Sequence, residues 1–452
     1  MKVDIKSLVK ASLSFAIVHE IALAIIKASN YVLYKILNGY IKHQINKVSY
    51  KTENSDYFPK KIIYIIPSLG YGGAERQLIN LINNLSNYSN HKKYGKFEIL
   101  LVCFDYKNFS NDFYLSQLNE KIRIIDLSEG VGLKLFNKEL CKNMKFFWLG
   151  KNLIYFNRLN ELIAKEKPQI LHAWLDTPSI CGGIAGLSNR VPNIILSTRS
   201  LNPSNFLSNR FYRKTVYQTL SNYKPITFLN NSYAGALSYE KWLGLEKNYI
   251  KVIYNGFEIE ALQTFHSNRI PKNITRNIIV GGVMRFNFEK NLDLWLQSAK
   301  ILSQKSVLFK FIVIGEGPDF SRIKRTIEKL ELSRIIQLIK PTSRIYDYMS
   351  KFDVLLLTSR IEGLPNVLIE AQLLGIPVIS TTCGGASETF INNSSGILVN
   401  DFDPKLIADA LYELASDKEK LAAYSINAID QAVKRFDINA ISQEYVNIYN
   451  KI

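Results

Sequence analysis

The segment Glu362-Gly363-Leu364-Pro365-Asn366-Val367-Leu368-Ile369-Glu370 places two carboxylates eight residues apart across a strand-to-helix turn. The run Val354-Leu355-Leu356-Leu357-Thr358-Ser359 before it reads as a buried strand. Pro365 suits the first turn of a helix carrying Leu368, Ala371 and Leu374. Glu362 then lies in the crevice beyond the strand end, where open α/β sheets bind ligands, and Glu370 lies a turn or more into the helix. A helix start offers unpaired N–H groups that suit a phosphate. One carboxylate for ribose hydroxyls, another near a sugar and amides for a diphosphate would together suit a sugar nucleotide. The competing reading is two solvated glutamates on a surface helix.

Other residues could share such a site. The strand Ile278–Val283 runs into Met284-Arg285-Phe286-Asn287-Phe288-Glu289-Lys290-Asn291, then a helix with Leu292, Leu294, Trp295 and Leu296. Arg285 at the strand exit and Lys290 at the helix start could converge to neutralise a diphosphate leaving group without a metal. Surface salt bridging is the alternative. The first strand ends in Pro67-Ser68-Leu69-Gly70-Tyr71-Gly72-Gly73-Ala74-Glu75-Arg76, where glycines let backbone approach a ligand closely. This loop is neither GxGxxG nor a P-loop, and a plain tight turn would also explain it. Gly315-Glu316-Gly317-Pro318 reads as a turn. His172, at the carboxyl end of the strand Ile170–Trp174, is either a satisfied core histidine or a substrate contact. Asp401-Phe402-Asp403 has DxD spacing, but Asp403-Pro404 reads better as the N-cap and first residue of a helix. No metal is expected.

These residues need two sheets to hold them. With 452 residues the chain has room for two domains and an extra segment, and its 47% hydrophobic content is that of a globular protein. Strand-like runs alternate with helical patterns from residue 59 to 257, and again from 277 to 425, each time with the βαβ signature of a mostly parallel sheet. The fold class expected is therefore α/β, as two Rossmann-like doubly wound domains with a cleft between them. The polar stretch 258–276 lacks a clear period and reads as a linker. Ile438, Ile441, Tyr445, Ile448 and Ile452 fall three or four residues apart, an amphipathic helix at the chain's end.

A formal charge of +18 points to an acidic partner: anionic lipid, a phosphorylated substrate or nucleic acid. No RNA-recognition, zinc-finger or basic-zipper pattern occurs, so nucleic acid is not expected. Cys103, Cys141, Cys181 and Cys383 are widely spaced, which argues against a disulfide framework or structural metal and for a reducing compartment. Residues 1–50 hold a dense apolar series, but His19, Glu20 and Lys27 interrupt it before a membrane-spanning length accumulates. Residues 1–60 carry five more bases than acids. That suits helices lying on an anionic inner leaflet, or alternatively a hairpin packed on protein.

In their order and spacing, the glycine loop Gly70–Arg76, the pair Arg285 and Lys290, Gly315–Pro318, the Glu362–Glu370 element and Gly384-Gly385-Ala386-Ser387-Glu388 resemble glycosyltransferase family 4, the retaining enzymes of GT-B fold that include bacterial surface-polysaccharide types. The resemblance covers residues 60–450 and leaves residues 1–50 as an accessory element. Tyr254-Asn255-Gly256-Phe257-Glu258 replaces the family's more usual Pro-Asn-Gly-Val-Asp. It implies a donor nucleotide-sugar domain in the C-terminal half and an acceptor domain in the N-terminal half, with helices from 426 to 452 returning to the latter. Carried onto this chain, Glu370 would bind ribose, Glu362 the donor sugar, and Arg285 with Lys290 the diphosphate. Gly72 and Gly73 would approach the donor phosphates, Gly363, Leu364 and Asn366 would line the donor site, and His172 would lie near the transferred sugar. The expected activity is transfer of a hexose or N-acetylhexosamine from a nucleotide diphosphate sugar, with uridine diphosphate the expected carrier, to a lipid-linked or surface glycan. It would be metal-independent and would occur in the cytoplasm, peripherally at the inner membrane face. A soluble transferase acting on a free sugar or sugar phosphate, and an inactive scaffold subunit, are the alternatives.

Overall fold

The computed structural model describes residues 60–88, 97–107, 112–129, 147–206, 212–267, 277–306, 308–342 and 344–450, with Lys35, Asn38, Gly39, Lys42 and His43 ahead of them. The expectation for residues 1–50 therefore falls largely outside the described residues. From this stretch Asn38 Oδ1 accepts from the Tyr223 hydroxyl at 2.8 Å.

The first sheet is built from runs of Ile, Leu and Val that are buried on both faces, the pattern of parallel strands covered by helices. Its strands are β1 (Lys60–Ile66), β2 (Phe97–Cys103), β3 (Arg123–Asp126), β4 (Ile170–Trp174), β5 (Asn193–Thr198), β6 (Ile226–Asn230) and β7 (Lys251–Val252). They lie in the order β3-β2-β1-β4-β5-β6-β7, with every pairing parallel. Helices α1 (Gly73–Tyr88), α2 (Phe147–Glu166), α3 (Asp176–Ser188), α4 (Tyr212–Leu220) and α5 (Tyr233–Leu243) connect them. Helix α3 escapes a periodicity search because it is apolar on nearly all sides; Gly182, Gly183 and Gly186 press against Ala173, Leu220 and Ile194.

The second sheet is β8 (Ile278–Val283), β9 (Phe309–Ile314), β10 (Ile336–Ile339), β11 (Val354–Leu357), β12 (Val378–Thr381) and β13 (Gly396–Val399), in the order β10-β9-β8-β11-β12-β13 and again all parallel. The segment 258–276, expected as an irregular linker, opens as helix α6 (Ile259–Ser267). Its Leu262 is buried in the second core and Phe265 packs on Tyr346, with ring centroids 5.7 Å apart. The exposed positions Glu260, Ala261, Gln263 and Thr264 around these two residues hide that packed edge from a periodicity reading. The remaining helices are α7 (Leu292–Lys305), α8 (Phe320–Lys329), α9 (Ile345–Met349), α10 (Asn366–Leu373), α11 (Pro404–Ser416), α12 (Lys418–Phe436) and α13 (Ile438–Tyr449). No helix among the described residues is long and apolar enough to cross a membrane.

The chain crosses between the sheets twice, and the crossings pair. Phe257 N donates to Phe436 O at 2.8 Å and Ile438 N to Phe257 O at 3.0 Å. Helix α12 keeps Ala432 and Phe436 in the second core, whereas α13 buries Ile441, Tyr445, Val446 and Tyr449 in the first. The return to the first sheet thus begins at Asp437, which caps α13 through Asn439 N, rather than at residue 426. Tyr449 is the polar end of this docking: its hydroxyl lies 2.8 Å from Tyr64 Oη and 2.8 Å from His172 Nδ1, all inside the core. Tyr449→Phe leaves two buried polar groups without that partner and is expected to cost about 1–3 kcal/mol in urea unfolding. Unchanged stability would show that the hydroxyl network adds nothing to helix docking.

Candidate functional site

In each sheet the strand order reverses at one place, between β1 and β4 in the first and between β8 and β11 in the second. The carboxyl ends of strands at such a switch point frame a crevice. The loop after β8 carries Arg285 and Lys290, the loop after β11 carries Glu362, and the loop after β1 carries Gly72 and Gly73. The topology explains why residues far apart in sequence meet.

Lys290 belongs to a short 3-10 turn, Phe288–Lys290, and α7 starts only at Leu292 after Asn291 in the left-handed region (φ 51°). The turn is bolted to the neighbouring loop: Arg360 N donates to Glu289 O at 2.7 Å, Arg360 Nη2 to Asn291 Oδ1 at 2.7 Å, and Thr358 Oγ1 to Asn291 O at 3.2 Å. Lys290 Nζ then stands 2.5 Å from Glu362 Oε1, with the glutamate side chain only 10% exposed. Glu362 is held from behind by Gly384, whose φ of +51° suits glycine and where a Cβ would come within 1.9 Å of Glu362 O. Arg285 is exposed at the exit of β8 and has no ion-pair partner among the described residues. The structure therefore joins Lys290 to Glu362 and leaves Arg285 standing in the crevice mouth.

Helix α10 begins at Asn366, with Pro365 as its N-cap residue rather than inside its first turn. Glu370 is buried, and both of its contacts among the described residues fall on Oε1: Arg76 Nη2 of the first domain at 2.5 Å and the Tyr346 hydroxyl at 2.9 Å. Burial works against the Arg76 charge, but the adjoining Glu370 carboxylate, with Tyr346, Tyr114 and Tyr71, outweighs it and raises the guanidinium's pKa. Asn366 Nδ2 donates to Gly73 O at 3.2 Å, and Asn255 Nδ2 donates to Asn366 Oδ1 at 2.5 Å and to Leu364 O at 3.4 Å. At Gly363 the two domains touch backbone to backbone: a Cβ there would lie 2.3 Å from Arg199 O. Gly72, Gly73, Gly363, Leu364, Asn366, Glu362 and Glu370 thus share one seam between the domains.

Two sequence expectations resolve differently. His172 is a correction. It is fully buried, with Nε2 2.6 Å from Ser197 Oγ and Nδ1 on Tyr449, so both ring nitrogens are spent in the core rather than in the crevice. Its position at a strand end suggested a ligand contact, but helix α13 lies over it. Asp403 does act as an N-cap, accepting from Lys405 N at 2.7 Å, and Asp401 accepts from Phe402 N at 2.6 Å.

The most specific comparison concerns the second domain: residues 264–431 match the family model of glycosyl transferases group 1. Over that stretch the chain is similar to the group 1 glycosyltransferases. It is 29% identical over 358 residues to the Vi polysaccharide biosynthesis protein VipC/TviE of Salmonella typhi, covering 74% of this chain and 61% of that protein. To the capsular polysaccharide biosynthesis glycosyltransferase CapM of Staphylococcus aureus it is 24% identical, covering 75% and 91%. A third relative is a Campylobacter jejuni alpha-1,4-N-acetyl-D-galactosaminyltransferase whose name gives a diphosphoundecaprenol-linked saccharide, 24% identical over 87% of this chain and 99% of that one. Among solved structures, Anabaena Alr3699/HepE in complex with UDP and glucose aligns with a TM-score of 0.69 at 21% identity, covering 87% of this chain and all of that one. WaaG, a glycosyltransferase of lipopolysaccharide biosynthesis, aligns at 0.63, with 12% identity over 86% of this chain and 100% of that one. The fold is GT-B.

Several residues of the seam were not singled out from the sequence. Tyr346 and Arg199 carry no motif, and only the tertiary structure brings them to the seam. Arg199 follows β5 directly, lies 4.1 Å over the Trp174 ring, and donates to Asn255 and, at 3.1 Å, to the Tyr445 hydroxyl. Glu388 of the Gly384–Glu388 motif caps helix α5 of the other domain, accepting from Tyr233 N at 2.8 Å and Ala234 N at 2.7 Å. Glu75 folds back over Gly72, and burial, opposed by a backbone hydrogen bond, pushes its carboxyl up to about 7.

Burial, reinforced by the nearby Arg199 charge, holds the His172 pKa well below its ordinary value of 6.5. The unfolded chain takes up that proton near pH 6.5 and the folded chain does not. Stability is therefore lost as pH falls below about 6.5, by up to about 1.4 kcal/mol per unit, until the depressed folded value is reached. Urea unfolding at pH 7.5 and 5.5 tests this, with His172→Gln expected to lose less stability on acidification than the wild type. The opposite contribution of Glu75 cancels in that difference. Equal losses would show that His172 is protonated in the fold.

Proposed function

We propose that the protein moves a hexose or N-acetylhexosamine from a nucleotide diphosphate sugar, carried on uridine diphosphate, to a lipid-linked or surface glycan, and that the new bond keeps the donor's anomeric configuration. The observation that carries this reading is the meeting of Lys290, Glu362 and Glu370 at the switch point of the second sheet, opposite the glycine loop of the first. The Campylobacter and HepE likenesses support the classes of acceptor and donor.

With both contacts of Glu370 on Oε1, its Oε2 is placed to accept from the ribose hydroxyls. The first amides of α10 and the backbone at Gly72, Gly73, Gly363 and Leu364 face the diphosphate, while Asn366 holds the glycine loop against them. Glu362, held by Lys290, accepts from hydroxyls of the donor sugar. As the bond from the anomeric carbon to the phosphate oxygen breaks, negative charge grows on the leaving diphosphate. Lys290 and Arg285 then act more strongly than in the ground state. The acceptor hydroxyl attacks from the face the diphosphate leaves, and its proton passes to the departing phosphate oxygen. Configuration is thereby retained without a protein nucleophile, and no metal is required. His172, enclosed in the core, takes no part. The net charge of +18 and the basic balance of residues 1–60 fit work at an anionic membrane face.

Screening nucleotide sugars for hydrolysis and transfer identifies the donor, and NMR of the product gives its anomer. Lys290→Ala or Arg285→Ala is expected to cost about 2–4 kcal/mol, mostly in turnover. Glu370→Ala is expected to weaken donor binding instead, because its contact is the same in ground and transition states. An inverted product, or activity abolished by chelators and restored by manganese, would overturn the reading.

A further inference from the structure

One turn of helix α1 makes two ties across the crevice and a third to the segment that crosses between the domains. Gly73 O accepts from Asn366 Nδ2, Arg76 Nη2 meets Glu370 Oε1 at 2.5 Å, and Gln77 Oε1 accepts from Gly256 N of the crossing segment at 2.9 Å. Positions i, i+3 and i+4 share one face of a helix, so this face of α1 looks squarely at the second domain. Arg76 supplies its charged tie. The guanidinium is largely enclosed, and the carboxylate it grips is only 5% exposed. An ion pair this well covered is costly to leave half-made: separating the domains would strand Glu370 with the Tyr346 hydroxyl alone.

We propose that Arg76 is a positioning residue through which donor binding and domain closure are coupled: from the first domain it occupies Oε1 of Glu370 and so orients Oε2 toward the nucleotide's ribose. The inference rests on the reading of Glu370 as the ribose ligand. Closure completes the carboxylate's hydrogen bonding, and a bound ribose in turn favours the closed form, since coupling between two events is reciprocal. Arg76 touches neither sugar nor phosphate in this arrangement. Its effect passes entirely through Glu370, so it is confined to nucleotides that carry ribose hydroxyls.

That restriction gives the test. Using the full chain, calorimetry measures the dissociation constants of the best-binding of uridine, guanosine and adenosine diphosphates and of its 2′,3′-dideoxy analogue. Small-angle scattering measures the radius of gyration with and without nucleotide. Wild type is expected to prefer the ribonucleotide by about ten-fold or more, the size of a hydrogen bond to a charged group. Glu370→Ala removes that preference. Arg76→Ala also removes most of it, with the loss falling on the ribonucleotide far more than on its dideoxy analogue, and enlarges the molecule. Arg76→Lys, which keeps the charge, retains part of the preference and the compact shape. A ribose preference kept in Arg76→Ala overturns the coupling and leaves the donor reading intact. A preference kept in Glu370→Ala, or no binding of any of the three nucleotides, overturns the donor reading and the inference with it.

Discussion

Two chain crossings, paired through Phe257 with Phe436 and Ile438, set the relation between the two sheets. A single crossing would leave a swivel. A pair, with Gly256 lying so close that a Cβ would meet Ile438 Cδ1 at 2.6 Å, fixes a narrow hinge. The second crossing also carries the chain's last helix onto the first core, where Tyr445 and Tyr449 lie among Tyr64, His172 and Trp174. The stability of the first domain therefore depends on a segment that follows the second domain in sequence. Folding of the two halves is correspondingly entangled, since non-local closure must be completed before α13 contributes its packing.

The crevice is organised by carboxylates that are already hydrogen-bonded. Burying a charge is costly unless it is paired, and Glu362 and Glu370 each have a cation at hand, Lys290 from the same domain and Arg76 from the other. The difference matters. A pair within one domain pre-organises its carboxylate whatever the hinge does, whereas a pair across the crevice reports closure. Glu388 adds a second carboxylate contact between the domains by capping α5, again an anion set against donors of the opposite half.

The burial of His172 shows how one element can change the role of a residue. A histidine at the carboxyl end of a parallel strand next to a switch point is well placed to meet a ligand, until a helix from the far end of the chain covers it. The hydrogen bonds to Ser197 and Tyr449 satisfy both nitrogens, and the imidazole becomes a joint between β4, β5 and α13.

The sequence by itself determined the elements and the chemistry offered at their ends. Apolar runs such as Ile62–Ile66 and Val354–Leu357 can be little else than central parallel strands, and Glu362, Glu370, Arg285 and Lys290 are legible because they follow such strands at short, fixed distances. Local pattern was weakest where packing overrides period, as in α3, buried nearly all round, and α6, anchored by Leu262 and Phe265 within a polar stretch. What only the tertiary structure decided was pairing across long separations: Lys290 with Glu362, Arg76 with Glu370, Asn255 with Asn366, His172 with Tyr449. Strand propensity and helix period are properties of neighbouring residues. The partner of a charge is set by sheet order and by the hinge, which bring together side chains that no local spacing relates.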